Sequence, residues 1–253
     1  MNSKKLGSGM LTPAVMKIMA DNLNKSSQTI DPRTTALYQK VLQNLGPERS
    51  IIDIGSGVGR FAIPLAQAGC SVTAFEPSEE MRTRLLSTAE KEGVLPNINV
   101  VPDSWPTKKT VNAEVTFASF VIQFANDPIE FILAMERSAS RKCILAVHVD
   151  QMLGFLKDVW PVFRPSEPIP TMLAFPEIYS TMLDMGIIAD VSILSEQREI
   201  NMPEPAQIME ILSDLLGLRD DPHEMKLLKE MLMSRKDTVK QQRNIRTAII
   251  SWP

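Results

Sequence analysis

The chain has 253 residues, a formal charge of −3 and 44% apolar residues, enough for one large α/β domain with a full core. The slight acidity gives no overall field favouring nucleic acid or an anionic membrane, and neither is expected as a partner. Cys70 and Cys143 stand far apart with no histidine cluster beside them, which argues against a disulfide framework and against a zinc site or other bound metal. The longest uncharged stretch, Phe61 to Phe75, is interrupted by Pro64, Gln67 and Gly69 and is too short to span a bilayer. Lys4 and Lys5 precede a segment broken by Gly7, Gly9 and Pro13, a poor signal peptide. A cytoplasmic protein is the expectation.

Residues 1–30 are rich in methionine and stand as an N-terminal lid. Asp31-Pro32 opens a helix carrying Leu37, Val41 and Leu45, which Gly46-Pro47 stops. A buried strand, Ser50 to Ile54, runs into Gly55-Ser56-Gly57-Val58-Gly59, then a helical segment through Ala68 and a second strand, Ser71 to Phe75. Strand, glycine turn, helix and strand make a βαβ unit with parallel strands. The alternation continues with a helix over Ser78 to Lys91 and strands over Asn97 to Val101 and Val115 to Phe120. Asp127-Pro128 caps the next helix, followed by a strand from Lys142 to Val149, a helix holding Ile178 and Met182, and a strand from Ala189 to Leu194. The fold class is therefore α/β: a Rossmann-like, doubly wound, seven-stranded sheet, mostly parallel.

Two further segments interrupt this pattern. Residues 150–176 hold five prolines with Phe155, Trp160 and Phe163, and residues 203–242 hold two amphipathic helices. Both read as insertions forming a cap. Ile245 to Trp252 reads as a final strand beside Ala189–Leu194, an antiparallel edge. The basic run Arg235, Lys236, Lys240, Arg243 and Arg246 reads as a solvated helix face rather than a phosphate patch.

The glycine turn lies where a strand hands over to a helix, so backbone N–H groups can approach a ligand closely. The dinucleotide fingerprint requires G-x-G-x-x-G, and Arg60 occupies its last position here. That disfavours a nicotinamide-dependent oxidoreductase. Asp53, two residues before the first glycine, suits a ligand with an ammonium group and would repel a pyrophosphate. Glu76 ends the second strand, where a carboxylate can take both hydroxyls of a ribose.

The run Ile52-Asp53-Ile54-Gly55-Ser56-Gly57-Val58-Gly59-Arg60-Phe61, with Phe75-Glu76-Pro77-Ser78 and Met81, resembles the class I S-adenosylmethionine-dependent methyltransferases. The resemblance covers roughly residues 48–150 and is nearest to the small-molecule branch that includes quinone-biosynthesis enzymes. It implies that Asp53, Gly55, Ser56 and Gly57 hold the methionine part and that Glu76, with Pro77 and Met81 beside it, binds the ribose. It implies an adenine site at Asp103, Ser104 and Trp105, and a lining of the methionine end by Ser119 and Phe120. Glu114 stands where the family often has Asp. No Asn/Asp-Pro-Pro-Tyr/Phe sequence follows the fourth strand, and no cysteine pair suits nucleophilic RNA-base methylation; both arguments point away from nucleic-acid bases.

The expected function is methyl transfer from S-adenosylmethionine to a small, partly apolar molecule, leaving S-adenosylhomocysteine. The alternative is a cofactor-binding regulatory or scaffold protein without turnover. Methyl transfer from a sulfonium needs alignment above all, and a base only for weakly acidic acceptors. His148, at the carboxyl end of a central strand, is the candidate base, with a structural role as the competing reading. Tyr38, Phe155, Trp160 and Phe163 are candidates for the acceptor side, and each also reads as packing.

Overall fold

Five strands lie parallel in the centre of the protein: Ser50–Ile54 (β1), Ser71–Phe75 (β2), Ile98–Val101 (β3), Ala113–Ser119 (β4) and Ala139–His148 (β5). Asp190–Asn201 (β6) and Lys240–Trp252 (β7) complete a seven-stranded sheet in the order β3-β2-β1-β4-β5-β7-β6. The computed structural model describes residues 31–150, 156–169, 171–201, 205–234 and 240–253. The proposed lid 1–30, Phe155 and Arg235–Lys236 of the basic run lie outside the described residues. Among the described residues no helix is long and apolar enough to cross a membrane, and no cluster of His, Cys, Asp or Glu could hold a metal ion.

Helices Ala36–Gln43 (α1), Ala62–Gln67 (α2) and Glu79–Lys91 (α3) precede β1, β2 and β3, and Pro128–Ser138 (α4) leads into β5. Leu156–Phe163 (α5) and Phe175–Asp184 (α6) lie between β5 and β6, and Pro205–Leu216 (α7) and Pro222–Ser234 (α8) between β6 and β7. The caps follow from the side chains. Asp127 Oδ1 accepts from the backbone N–H groups of Ile129 and Glu130, both at 3.0 Å, at the start of α4. Ser78 does the same for Met81, and Glu79 and Glu80 favour the positive end of α3. The helix expected to open at Asp31-Pro32 begins as a single 3-10 turn, Pro32–Thr34, and restarts as α1 under the hydroxyl of Thr35.

Burial on both faces explains the apolar runs of the central strands. One face carries Ile51, Val115, Phe117, Ile144 and Ile249 against α1, α2 and α3. The other carries Ile52, Ile54, Leu145, Val147 and Ile250 against α4 and α6. At the far end from the carboxyl tips, Glu114 accepts the N–H groups of Gly46 at 2.9 Å and Glu48 at 3.2 Å. Burial raises its pKa, yet these backbone bonds prevail and hold it below the ordinary carboxylate value. Its job is to fasten the turn before β1.

Two features depart from the sequence expectation. The C-terminal strand is antiparallel and pairs with β6 as expected, but it enters one place in from the edge, between β5 and β6. Lys240, Arg243 and Arg246 belong to this strand and not to a helix face. β7 is also longer than Ile245 to Trp252, because its pairing with β6 runs from Asp190↔Ser251 to Asn201↔Lys240, whereas β5 reaches only to Thr247. The β6–β7 ribbon therefore continues past the carboxyl ends of the parallel strands. Between its strands, α7 and α8 pack with α5 around Trp160, Phe163, Leu212, Leu216 and Leu228, a core separate from the sheet.

Candidate active site

β1 and β2 pair with Asp53 opposite Ala74, so Glu76, two residues beyond Ala74, lies on the same face as Asp53, one pleat nearer the carboxyl edge. β1 lies between β2 and β4, the two neighbours from which the chain winds outward in opposite directions. Ligands of open α/β sheets bind at this switch point, outside the carboxyl ends.

The glycine turn is held there by its own backbone. The N–H groups of Gly55 and Ser56 both donate to the Phe75 carbonyl, at 2.8 and 3.0 Å. Gly55 has φ +68°, and a Cβ on it would lie 2.4 Å from Val121 Cγ2. Only glycine lets the residues after β4 close on the turn. Gly57 has φ +57°, and a Cβ there would meet only Met81 Sδ at 3.9 Å; its requirement is conformational, and it leaves open room beside the turn.

Glu76 is buried, and its carboxylate reaches back to this turn. Oε2 accepts the Gly57 N–H at 2.9 Å and Oε1 accepts the Ser78 N–H at 2.8 Å. Burial pushes its pKa up, opposed by those two N–H groups and by Arg82. Each carboxylate oxygen has two acceptor directions, so each retains one for a ligand. Asp53 is 3% exposed, and its Oδ2 has no hydrogen-bond partner among the described residues. Burial and the Glu76 charge push its carboxyl up to about 7, against one bond from the Ala62 N–H. A buried carboxylate oxygen without a partner is costly, and an ammonium group is the ligand that relieves it. The buried Ser56 hydroxyl, likewise without a partner, sits in the same turn. The residues present thus fit an adenosyl amino acid: two carboxylates for an ammonium and a ribose diol, around a turn with no side chain in the way.

The adenine-side residues are less simply arranged. Asp103 is held below the usual carboxylate range by the Lys109 ammonium, 2.7 Å away, and by the Thr107 hydroxyl. Trp105 packs edge-on against Phe75, with centroids 5.2 Å apart, and its indole N–H donates to the Phe131 carbonyl at 3.2 Å. Its ring is held in the sheet's second core. Ser104 and Pro77 are exposed, whereas Met81 is buried against Val58.

Beyond β4, Ser119 is half-buried at the strand end, and Phe120 follows with φ +57°. The Phe120 ring stacks on the His148 imidazole, with centroids 4.4 Å apart and planes inclined by 29°. Phe120 also lines a groove with Thr35, Arg60, Phe61, Glu196 and Thr247. Three of the acceptor candidates lie away from this groove. Tyr38 is buried with its hydroxyl donating to the Pro64 carbonyl at 3.1 Å, while Trp160 and Phe163 fill the core of the cap. The neighbours Thr35 and Leu37 line the groove instead. Gln123, buried in the single turn after β4, was also legible in principle, as a polar residue in the apolar run Val121 to Phe124.

A family model for a methyltransferase domain matches residues 28–142. An uncharacterized protein of Haemophilus influenzae is 31% identical over 116 residues, 44% of this chain and 43% of that protein. The 23S rRNA (uracil(1939)-C(5))-methyltransferase RlmD of Cupriavidus necator is 42% identical over 48 residues, 19% of this chain and 11% of that enzyme. The chain spans less than half the length of the curated relatives it matches. Among solved structures, magnesium protoporphyrin IX methyltransferase from Synechocystis PCC 6803 with bound S-adenosylhomocysteine superposes with a TM-score of 0.56 at 15% identity, over 93% of this chain and 87% of that one. Glycine turn, strand-end carboxylate and strand order agree with the match of residues 28–142 to a methyltransferase domain, and the fold is the Rossmann-like fold of S-adenosylmethionine-dependent methyltransferases.

Proposed function

We propose that this chain transfers the methyl group of S-adenosylmethionine to a small, partly apolar acceptor. The observation that carries the reading is the pairing of Asp53 and Glu76 on one face around the glycine turn, one with an unpartnered oxygen and the other with acceptor directions to spare. Asp53 takes the ammonium group and Glu76 the ribose hydroxyls. The Gly55–Gly57 backbone approaches between them, and Asp103 accepts from the adenine amine. When bound, the cofactor supplies a methyl group already activated by its positive sulfur. The protein's part is to hold that methyl in line with the acceptor's lone pair and to keep water out, an alignment worth several kcal/mol. Phe120 and the groove beside it supply an apolar wall at the carboxyl end of β4, and α7 and α8, between the two strands of the β6–β7 ribbon, pack with α5 as a cap.

Calorimetry with S-adenosylmethionine, S-adenosylhomocysteine and NAD tests the cofactor: the first two should bind and NAD should not. Release of S-adenosylhomocysteine in the presence of small aromatic, thiol and amine acceptors, with an RNA oligonucleotide alongside, tests the reaction. Binding without turnover on any acceptor would make the chain a cofactor-binding regulator or scaffold. Turnover on the RNA alone would overturn the small-molecule reading.

A further inference from the structure

Gln123 is the polar residue in the apolar run Val121 to Phe124 that follows β4. The run coils into a single 3-10 turn: the N–H groups of Phe124 and Ala125 donate to the carbonyls of Val121 and Ile122, both at 2.9 Å. Such a helix completes a turn every three residues, so Val121, Ile122 and Gln123 leave it in three directions. Val121 closes on the glycine turn, where its Cγ2 would lie 2.4 Å from a Cβ on Gly55. Ile122 enters the second core of the sheet. Gln123 takes the third direction, at the carboxyl edge where β4 ends. The side chain is 4% exposed, and none of the hydrogen bonds among the described residues involves its amide. A carboxamide carries two donor hydrogens and an acceptor oxygen, and burying them unpaired is costly. The orphaned indole N–H of Trp160 and hydroxyl of Ser251 are sealed from any opening. The Gln123 amide is not sealed, and the residue's small remaining surface lies at its polar end. It meets an opening beside the glycine turn.

We infer that Gln123 is the specificity-determining residue for the acceptor, and that the acceptor presents to it a neutral, carboxamide-type edge with a donor and an acceptor side by side. This rests on the methyltransferase reading above. In that reading the cofactor has its own partners: Asp53 for the ammonium, Glu76 for the ribose and Asp103 for the adenine amine. The Gln123 amide is left for the second substrate. Its carbonyl accepts from an N–H of the acceptor while its own N–H donates to the neighbouring oxygen, two bonds in one plane. Charge argues for a neutral group. Asp53 and Glu76 already place two carboxylates around the glycine turn, so an acceptor carboxylate would add a third negative charge there. Gln123 has no charge of its own to answer an ammonium or an amidinium. Phe120, three residues earlier, lines the groove in which Leu37, Phe61 and Ile249 offer apolar surface to the rest of the molecule.

The test uses the full chain saturated with S-adenosylhomocysteine and three probes of one shape, benzamide, benzoate and benzamidine, titrated by ligand-observed NMR. The wild type should bind benzamide about 10-fold more tightly than either charged probe, because only benzamide pairs both ends of the buried amide. Gln123→Met keeps the length of the side chain and removes the amide. It should abolish the preference, leave the affinity for S-adenosylhomocysteine unchanged and melt no lower than the wild type, since no bond within the protein is lost. Gln123→Glu should turn the preference toward benzamidine, the cation. A lower melting temperature in Gln123→Met would make the residue structural, and weaker S-adenosylhomocysteine binding in that variant would make it a cofactor ligand. A wild type without preference among the probes would have no amide-reading site. Each of these results would overturn the inference. Failure of the wild type to bind S-adenosylhomocysteine would instead overturn the reading beneath it.

Discussion

The carboxylate of Glu76 accepts the Gly57 N–H at 2.9 Å, joining the end of β2 to the middle of the glycine turn. Glu76 therefore fastens the turn by itself, and with its other oxygen it also ties down Ser78 at the start of α3. Glu76→Ala should cost about 2–4 kcal/mol of cofactor affinity through loss of a charged, two-pronged partner. It should also lower the melting temperature, because two backbone N–H groups lose their acceptor. Glu76→Gln separates the roles. Its single carbonyl oxygen can satisfy one of the two N–H groups, so much of the stability should return while most of the affinity does not. Calorimetry and thermal unfolding on the two variants check this, and equal affinity in all three proteins would refute the assignment.

Most of the sheet was legible because the strands of the first half are apolar runs, and three of the helices beside them open on a side-chain cap, at Thr35, Ser78 and Asp127. The place of β7 was not. Nothing local distinguishes an edge strand from one inserted between β5 and β6, since that choice is made by pairing across the sheet. Its length was hidden for a related reason: the basic residues from Lys240 to Arg246 lie where the ribbon leaves the sheet, so no apolar alternation marks them. At the site, Asp53 and Glu76 could be read because spacing along two strands sets their position. The Phe120–His148 stack could not, because it depends on a left-handed backbone at a phenylalanine. The candidates Tyr38, Trp160 and Phe163 show the same limit: aromatic residues announce burial, and only the tertiary fold says against what.

Gly55→Ala should destabilise the fold by about 2–4 kcal/mol, combining a positive φ with overlap against a packed side chain. The two parts can be told apart. A Cβ at position 55 would lie 2.4 Å from Val121 Cγ2, so Val121→Ala should recover the overlap but not the backbone part. The double variant should therefore melt between wild type and Gly55→Ala. A double variant no more stable than Gly55→Ala would mean that the turn and the residues after β4 do not meet as described.

Asp103 is kept ionised well below neutral pH by Lys109, so at working pH it can only accept hydrogen bonds. Asp103→Ala should weaken cofactor binding less than Glu76→Ala. Its mark should be discrimination: the wild type should prefer S-adenosylhomocysteine over the analogue that lacks the 6-amino group, and the variant should bind both alike. Competition binding with the two ligands measures it, and equal preference in both proteins would leave Asp103 as a loop residue paired with Lys109.

Asp53 should give both folding and binding a pH dependence. Its carboxyl is pushed up to about 7 in the fold by burial and the Glu76 charge, against an ordinary value of about 3.9 in the unfolded chain. Between those values the folded state holds more protons than the unfolded one, so stability falls as pH rises from about 4 to about 7 and levels off above. The full loss is about 4 kcal/mol. Asp53→Asn can still accept the Ala62 N–H and carries no charge, so it should flatten that slope and melt higher than the wild type at pH 8. Cofactor binding should run the other way. An ammonium group beside Asp53 requires the ionised carboxylate, so affinity should rise about tenfold per pH unit up to about 7 and then level, and binding at neutral pH should release protons. Calorimetry in two buffers of different ionisation enthalpy counts those protons. In Asp53→Asn the count should fall toward zero, together with the affinity. An Asn variant that releases as many protons as the wild type, or binds as tightly, would remove Asp53 from the site.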